Sequence, residues 1–537
     1  MKSSADLWKE YCSFYEKPFS IQLEANEALL KEHLQRWGQT AQAKILCPRG
    51  CASIDDIPVT AYSDYQFLAQ FKSRMEKSER DVRQMPGEVS WDYYDRIGRA
   101  AAEPYQDYVI GEFSFVTKTT GTVGEPKWMI HGSTFWENYR KDVLTATLFS
   151  CSDSWGRTSF RFGDKGLNFT PSAPYLSGWG RKASQGIVVD VPPVDVMDSI
   201  PDVRRRFFAA LEYLEKGHEV NLAGGVAPSV YLMCEYFTSP EHLFKEYYDS
   251  MDMGPAKLVI LQKWAKAKVA GTSRRARDFL NLKGLMIGGV DTSLYYDYLR
   301  AELGVEPFCI YGVSELGLPM FGTPDQKQDL LPNLRSCYFD FRNEQGELKK
   351  MEELNVGNTY DLIITSFGGM FARYDVQDTV RVSGKRDDGM PVFSFWGRKN
   401  AALYLGGLPL HITEAVMTQV MHRAGLTLSD KWAVTKTLRG REKLLILMEN
   451  SWGISETEVA KKMIDAMVAT NPDLAKYASE FGAGKPEDLV EVEFLKKGAF
   501  LRYSMKKARE GYPMGQVKPP KIVISERQDI CDALRSA

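Results

Sequence analysis

No stretch of this 537-residue chain approaches the ~18 uninterrupted apolar residues that a membrane-spanning helix needs, so no membrane association is expected. The amino terminus, MKSSADLWKEYCSFYEK, lacks the apolar core of a secretory leader, and a cytoplasmic location is the expectation that follows. Excess charge is almost absent. Lys and Arg number 68 against 70 Asp and Glu, a formal charge of −2, so the bulk electrostatics advertise no polyanionic partner and nucleic acid is not expected as one. A local anion site is left open. Histidine is scarce: the six, His33, His131, His218, His242, His411 and His422, include no HExxH and no two spaced as ligands on one helix face. The eight cysteines are scattered, and the one close pair, Cys47 and Cys51 in CPRGC, has no second Cys or His pair to complete four zinc ligands. Ordinary reduced thiols in a loop are the simpler reading. Internal repeats and low-complexity segments are also missing.

What is present is ordinary globular material, 44% hydrophobic and 26% charged, which excludes extended disorder. The length allows about three or four domain-sized units. From Asp6 to Arg36, apolar residues at mixed spacings of three and four predict one or two amphipathic helices. Between Phe113 and Ile130 the pattern becomes a strand, FSFV, then the turn-rich TKTTGTVGEPK, then a second short strand, WMI. From about Asp142 to Leu303, apolar segments (GIVVDVP, VNLAGG, AKLVIL, LKGLMIGG) alternate with helical stretches (VRRRFFAALEYLEKG, PSVYLMCEYF), which implies crossover connections and parallel pairing. PFCIY and TYDLIITS add strands, and VQDTVRVSG with MPVFSFWG reads as a closing β element. Beyond Gly397 the chain is richer in lysine and helix, with strand candidates AVTKTLR, KLLILME and LVEVEFL between helical stretches. The expected fold class is α/β: a large N-terminal body, residues 1–396, with mainly parallel sheets, and a small α+β C-terminal domain, residues 397–537.

The sharpest local signal is TTGTVGEPK, Thr119 to Lys127. Gly121 and Gly124 permit positive φ, so that amide N–H groups can turn inward, while Thr119, Thr120, Thr122 and Lys127 add donors. Such a loop suits a polyphosphate, though it is no Walker loop, and a surface hairpin turn fits the same string. YGVSELG follows the strand PFCI; Ser314 beside Glu315 just past a strand end can hold a phosphate oxygen and Mg²⁺, or can simply turn the chain. Asp378, in FARYDVQDTV, can accept from two ribose hydroxyls or serve as a turn residue. GRKN, Gly397 to Asn400, marks the change from large to small unit, and its basic pair is equally readable as solvated charge.

Taken in order, TTGTVGEPK, YGVSELG, an Asp after a strand and GRKN resemble the adenylate-forming superfamily, whose motifs read [ST][ST]GTTGxPK, YGxTE, an Asp, and GRxD or GRxK. Two further stretches resemble the Gretchen Hagen family of plant acyl acid amido synthetases: IPVTAYSDYQ, Ile57 to Gln66, is similar to its VPVVTYEDLQ element, and KKGAFLRYSMKKAREGYPMGQVKPPKIV is similar to its closing pattern, with Gln516, Lys518 and Lys521 at the Q, K and R positions. The resemblance implies that Thr119, Thr120, Gly121, Thr122, Gly124 and Lys127 handle the ATP phosphates, Glu315 the Mg²⁺, Tyr311 the adenine face, Asp378 the ribose and Arg398 the nucleotide near a hinge, with Gly312 and Ser314 also among the cofactor-binding residues. Lys518 would reach the acyl-phosphate region, and Asn400 would be the pivot of the small domain. There are departures: the loop has the Pro126-Lys127 ending of acyl-CoA ligases, and the family's RYRVGD is RYDVQD here, with Asp375 for a basic residue and Gln377 for glycine.

The function implied is ATP-dependent activation of a small-molecule carboxylic acid through an acyl-AMP, then transfer to an amine, an amino acid foremost. An acyl-CoA ligase of the phenylacetate-CoA ligase type, with CoA as acceptor, is the nearest alternative, and a non-catalytic acyl- or nucleotide-binding protein on the same scaffold is a third. ATP and Mg²⁺ are the expected cofactors. No Ser/His/Asp or Cys/His arrangement stands out, as expected of a reaction that needs no covalent enzyme intermediate.

Overall fold

Ser3 opens the first helix, Ser4–Tyr11, with a reciprocal cap: its hydroxyl accepts from the Asp6 amide while the Asp6 carboxylate accepts from the Ser3 amide. A 3₁₀ turn, Ser13–Glu16, leads to the helix Phe19–Trp37, whose buried face includes Leu30, His33, Leu34 and Trp37. The predicted helical stretch from Asp6 to Arg36 is therefore two α-helices. The structure, a computed structural model, describes residues 2–119, 126–200, 209–210, 213–214, 219–238, 275–278, 280–289, 292–398, 402–405, 410–426, 431–438, 442–449, 453–470, 488–509 and 520–536. The predicted strand AKLVIL and most of the predicted helix VRRRFFAALEYLEKG lie outside these residues.

Two compact units are resolved. The first comprises Met1–Val226, Phe279–Gly288 and Leu303–Arg398; the second comprises Ala227–Asp278, Gly289–Glu302 and Lys399–Ala537. In the first unit, strands β1 (Phe113–Lys118) and β2 (Trp128–Gly132) pair antiparallel, with Lys118 opposite Trp128. A seven-stranded sheet follows, built from β3 (Lys165–Phe169), β4 (Val189–Asp190), β5 (Leu222–Val226), β6 (Gly284–Gly288), β7 (Pro307–Val313), β8 (Gly317–Phe321) and β9 (Leu331–Pro332), in the order 4-3-5-6-7-8-9. Neighbours from β4 to β7 run parallel, as the alternating pattern implies, because long crossovers join them. The turn from β7 to β8 is too short for a crossover, and pairing there becomes antiparallel.

The second sheet is antiparallel throughout: β10 (Cys337–Arg342), β11 (Leu348–Lys349), β12 (Thr359–Ser366), β13 (Tyr374–Lys385) and β14 (Pro391–Arg398), in the order 11-10-12-13-14. Short connections again dictate this, so the parallel arrangement expected of the large body holds from β4 to β7 of the seven-stranded sheet and stops there. Buried and less buried residues alternate along β13, one face on the core and one toward water. The helix Ser133–Ser150 presents buried Phe135, Tyr139, Leu144, Leu148 and Phe149. Its start is approached so closely by Gly368, at φ +78°, that a Cβ there would lie 2.8 Å from Thr134 Cγ2 and 2.9 Å from the Phe135 nitrogen.

The second unit holds the hairpin β15 (Ala402–Leu405) and β16 (Leu410–Thr413), and a three-stranded sheet of β17 (Trp432–Thr437), β18 (Lys443–Glu449) and β19 (Val490–Leu495). All three strand candidates of the C-terminal stretch are found here. Helices Glu456–Thr470, Ala499–Arg509 and Gln528–Ser536 accompany the sheet, and Leu445, Leu447, Phe500, Ile530 and Leu534 share one core. Among the described residues no helix is long and apolar enough to cross a membrane.

Burial lowers the pKa of His33 and of His131 on β2 to about 3, so both are neutral at pH 7. An unfolded histidine titrates near 6.5, so between about pH 6.5 and about pH 3 the unfolded chain binds more protons than the folded one. The stability that neutral burial provides is complete above pH 6.5 and is lost progressively as pH falls toward 3. Urea midpoints measured over this window should fall more steeply for wild type than for the His33→Asn, His131→Gln double variant; parallel slopes would contradict neutral burial.

Candidate active site

The site is built from the neck of the glycine loop outward. Beyond the Lys118–Trp128 pair, the Thr119 amide donates to the Lys127 carbonyl at 2.9 Å, and the Lys127 amide returns a bond to Thr119 Oγ1 at 2.9 Å. These two bonds close the loop at its base and fix where the Lys127 side chain leaves the backbone. Thr120, Gly121, Thr122 and Gly124 lie outside the described residues, as do Asn400 and Lys518.

Lys127 Nζ lies 3.3 Å from Glu315 Oε1 and 3.3 Å from the Tyr374 hydroxyl, and that hydroxyl donates to the same carboxylate oxygen at 3.1 Å. The three groups form a closed triangle. Glu315 is 6% exposed, in the turn between β7 and β8. Tyr374 opens β13, where burial and then the Glu315 charge push its phenol well above the usual range, so it keeps its proton and donates. The Tyr62 ring takes the open side of the ammonium, with its centroid 4.9 Å from Lys127 Nζ, and the Tyr62 hydroxyl donates to the Trp128 carbonyl at 2.9 Å.

A second set of bonds ties the loop strands to the Glu315 turn. Thr117 on β1 gives its one hydroxyl proton to the Ser314 carbonyl at 3.0 Å, so toward His131 Nε2, 2.8 Å away, it accepts. That arithmetic puts the His131 proton on Nε2 and leaves Nδ1 bare and buried without a hydrogen bond, while the ring packs against both Phe115 and Phe135. Sequence reasoning singled out Lys127, Ser314 and Glu315 and missed Tyr62, Tyr374, Thr117 and His131. The first two of these stood inside strings already picked out, IPVTAYSDYQ and FARYDVQDTV, and aromatic residues within a polar motif were the available signal.

On the other side of β7, Tyr311 donates its hydroxyl proton to Asp378 Oδ2 at 2.7 Å. Asp378 is 4% exposed and lies on β13 opposite Arg398, the last residue of β14. Gly312 is exposed next to Tyr311. Of the predicted residues within the described part, Lys127, Ser314 and Glu315 thus gather at one end of the β7–β8 turn, Tyr311 and Asp378 form a bonded pair beside it, and Arg398 is brought to Asp378 through its backbone.

The two departures in RYDVQD have a visible accommodation. Asp375 accepts from Arg342 Nη2 on β10 at 2.9 Å, and Asp375 Oδ1 also accepts from the Gln377 amide at 2.9 Å. Gln377 adopts φ +65°, the left-handed region where glycine has no steric penalty and another residue pays about 1 kcal/mol. Because Gln377 is exposed, its side chain compensates little. Gln377→Gly should therefore leave stability unchanged or raise it by up to about 1 kcal/mol in urea unfolding, while Gln377→Val should lower it; a large loss with glycine would mean that the side chain matters.

A sequence profile described as the GH3 family central domain matches residues 330–398, the segment from β9 through β14. The indole-3-acetic acid-amido synthetase GH3.4 of Arabidopsis thaliana is 25% identical over 358 residues, which are 57% of this chain and 58% of that protein. The indole-3-acetic acid-amido synthetase GH3.3 of the same plant is 25% identical over 223 residues, 38% of this chain and 36% of that protein. The chain thus spans between about a third and three fifths of the length of these relatives. Among solved structures, a 2-hydroxyisobutyryl-CoA ligase in complex with 2-HIB-AMP and CoA superposes with a TM-score of 0.53 at 13% identity, covering 97% of this chain and 93% of that one. The chain has the fold of that CoA ligase, and in sequence it is similar to the GH3 central domain over residues 330–398 and to GH3 indole-3-acetic acid-amido synthetases over part of its length.

Proposed function

We propose that this chain is an AMP-forming acyl ligase that activates a small-molecule carboxylic acid with ATP and passes the acyl group to an amine, an amino acid foremost. The observation that carries the proposal is the convergence of Lys127, Glu315 and Tyr374 beside the Tyr311–Asp378 pair, since Lys127 and Glu315 stand 188 positions apart in the chain and Tyr311 and Asp378 stand 67 apart. The relatives' names, amido synthetases that act on indole-3-acetic acid, support an acid and an amine as the substrate pair. The structural likeness to a CoA ligase, together with the Pro126-Lys127 loop ending, supports CoA as the alternative acceptor.

A carboxylate is a poor electrophile because its leaving group would be oxide. Adenylation removes that obstacle: the acid's oxygen attacks the α-phosphorus of ATP, pyrophosphate leaves, and the acyl-AMP then meets the amine, with AMP as leaving group. In this reading Lys127, held beside Glu315, meets the phosphates there, and a cation held in a site with little water stabilises developing negative charge. The glycine loop residues Thr120, Gly121, Thr122 and Gly124 supply N–H and O–H donors to the same oxygens. Tyr311 and Gly312 border the adenine, Asp378 accepts from the ribose hydroxyls, and Arg398 lies close to the nucleotide. Lys518, in the small C-terminal domain of residues 397–537, approaches the acyl-phosphate region, while residues 1–396 hold ATP and acid.

Mg²⁺ fits this site only sparsely. Among the described residues no group of three or more His, Cys, Asp or Glu side chains converges, so Glu315 would be the one protein carboxylate, with Ser314 beside it. A cation that keeps several waters and takes oxygens from bound phosphates tolerates such a donor set. Bound there, it would neutralise phosphate charge.

Losing one charge-assisted contact in such a site costs ~2 to 4 kcal/mol, so Lys127→Ala and Glu315→Gln should each slow pyrophosphate release by about two to three orders of magnitude, with circular dichroism unchanged. The measurement is a panel of carboxylic acids scored for ATP-dependent pyrophosphate, first alone and then with amino acids or with CoA. Wild-type rates in both variants would remove the assignment of the phosphate site. A site built to hydrogen-bond hydroxyls penalises their absence, so wild type should prefer ATP strongly over 2′,3′-dideoxy-ATP, and Asp378→Ala should shrink that preference. An undiminished ratio would place the ribose elsewhere.

A further inference from the structure

The string IPVTAYSDYQ enters the proposed chemistry only through resemblance, yet its residues touch two corners of the triangle, Lys127 and Tyr374. Thr60 forms a parallel bridge with Tyr374. The Thr60 amide donates to the Arg373 carbonyl at 2.8 Å, and the Asp375 amide donates to the Thr60 carbonyl at 2.8 Å. β12 pairs with Tyr374 on one edge of β13, and β14 pairs with the other edge only from Asp378 onward, so Thr60 takes the edge that β14 leaves open. Thr60 Oγ1 also donates to the Ala372 carbonyl at 2.8 Å, and the Ala372 amide donates to the Tyr65 hydroxyl at 3.1 Å. Arg373, held at φ 47°, donates from Nη1 to the Ile57 carbonyl at 2.8 Å. The segment therefore clasps the three residues that bring Tyr374 to Glu315.

From the same segment Tyr62 reaches the opposite corner. Its ring faces Lys127 Nζ at 4.9 Å, and its hydroxyl bonds the carbonyl of Trp128, the residue after Lys127, at 2.9 Å. A lysine side chain has four rotatable bonds and is otherwise free to sweep a wide arc from the loop neck. Here the Tyr62 ring closes off one side of that arc, and Glu315 and Tyr374 occupy the other, with Nζ 4.9 Å from the Tyr62 ring centroid and 3.3 Å from the Tyr374 hydroxyl.

We infer that Tyr62 is a positioning residue for adenylation: it holds the Lys127 ammonium at the Glu315 side of the site, ready for the triphosphate, and the Ile57–Gln66 segment exists in this chain to set Tyr62 and Tyr374 at a fixed separation across that lysine. The inference rests on the reading of Lys127 as the phosphate-binding lysine, while the placement of the ammonium by Tyr62 is testable apart from it.

Reductive methylation of the full chain with ¹³C-formaldehyde converts lysines to dimethyl-lysines that keep their charge, and the Lys127 resonance is identified by its loss in Lys127→Arg. In wild type that resonance should be displaced upfield by the ring above it. Tyr62→Phe, which keeps the ring and loses only the hydroxyl, should retain most of the displacement, and Tyr62→Leu should abolish most of it. On unmethylated protein, Tyr62→Leu should lower kcat for pyrophosphate release by about tenfold with KM for ATP changed less than about twofold, and Tyr62→Phe should stay within about threefold of wild type. A Lys127 resonance at the ordinary position in wild type, or one unmoved by Tyr62→Leu, overturns the positioning role. So does a Tyr62→Leu chain that turns over like wild type. If Tyr62→Leu does not fold, the wild-type and Tyr62→Phe spectra still decide, since both must show the displacement. Displacement that depends on Tyr62 as described, with no pyrophosphate from any acid in wild type, supports the placement of the lysine and overturns the adenylation reading alone.

Discussion

A carboxylate that is 6% exposed has to be paired, and the burial of Glu315 is the constraint around which this part of the molecule is arranged. Water cannot solvate it, so an ammonium and a phenol do. Each partner needs its own support. Lys127 is brought by a loop neck closed with two hydrogen bonds; Tyr374 is brought by the first residue of β13, immediately after a left-handed Arg373 whose guanidinium is anchored by Asp340 at 2.9 Å and by the Ile57 carbonyl. The carboxylate's own backbone is gripped through the preceding carbonyl, that of Ser314, by Thr117. Four distant stretches of sequence therefore meet because one buried charge must be satisfied, and the same convergence leaves a cation and a carboxylate side by side where a triphosphate is proposed to bind.

The substitutions in RYDVQD bear on whether this is a working site. Asp375 places an acid where the family has a base, and an acid near a bound nucleotide would repel it. Its charge is engaged elsewhere, by Arg342 at 2.9 Å from β10, with Asp361 of β12 also 3.8 Å from the same guanidinium. The reversal of sign is thus absorbed within the second sheet. Gln377 bears a backbone strain that glycine would not, yet the next residue, Asp378, still meets Tyr311 at 2.7 Å. Local departures that are compensated locally, without displacing the neighbouring contact, argue against a decayed scaffold that merely binds nucleotide or acyl group.

Much of the fold was legible. Runs of β-branched and aromatic residues bounded by glycine or proline located β1, β2, β7, β12, β13, β14 and the three strands of the C-terminal sheet, because strand formation there depends on local pattern. The antiparallel second sheet was less visible, although its signals, NEQG between β10 and β11 and RDDG between β13 and β14, are hairpin turns that forbid crossovers. Of the site, the residues inside recognisable strings were found, and their partners were not. Tyr374 lies 247 positions from Lys127, and nothing in the neighbourhood of either announces the contact. Thr117 and His131 read as ordinary strand residues; their roles arise only from the register that sets β1 beside β2 and both beside the Ser314 turn.

The thiols bear on the chemistry from another side. Acyl transfer through the enzyme itself needs a nucleophile, and for cysteine that means a thiolate. Burial raises Cys12, Cys47 and Cys337, pushes Cys51 and Cys151 up to about 12, and pushes Cys531 up to about 11, so these groups are protonated thiols at neutral pH. They pack as small apolar side chains. His131 points the same way, because it is neutral at pH 7, packs against Phe115 and Phe135, and spends its one N–H on Thr117. On the proposed reading the leaving group that makes a carboxylate reactive therefore comes from the substrate side, as AMP, and the protein's part is to hold charge in place around it. A site whose ionic contacts are fixed by a buried carboxylate, two tyrosines and a closed loop neck is suited to that part, because such contacts are set before the substrate arrives and need no rearrangement of solvent when charge develops.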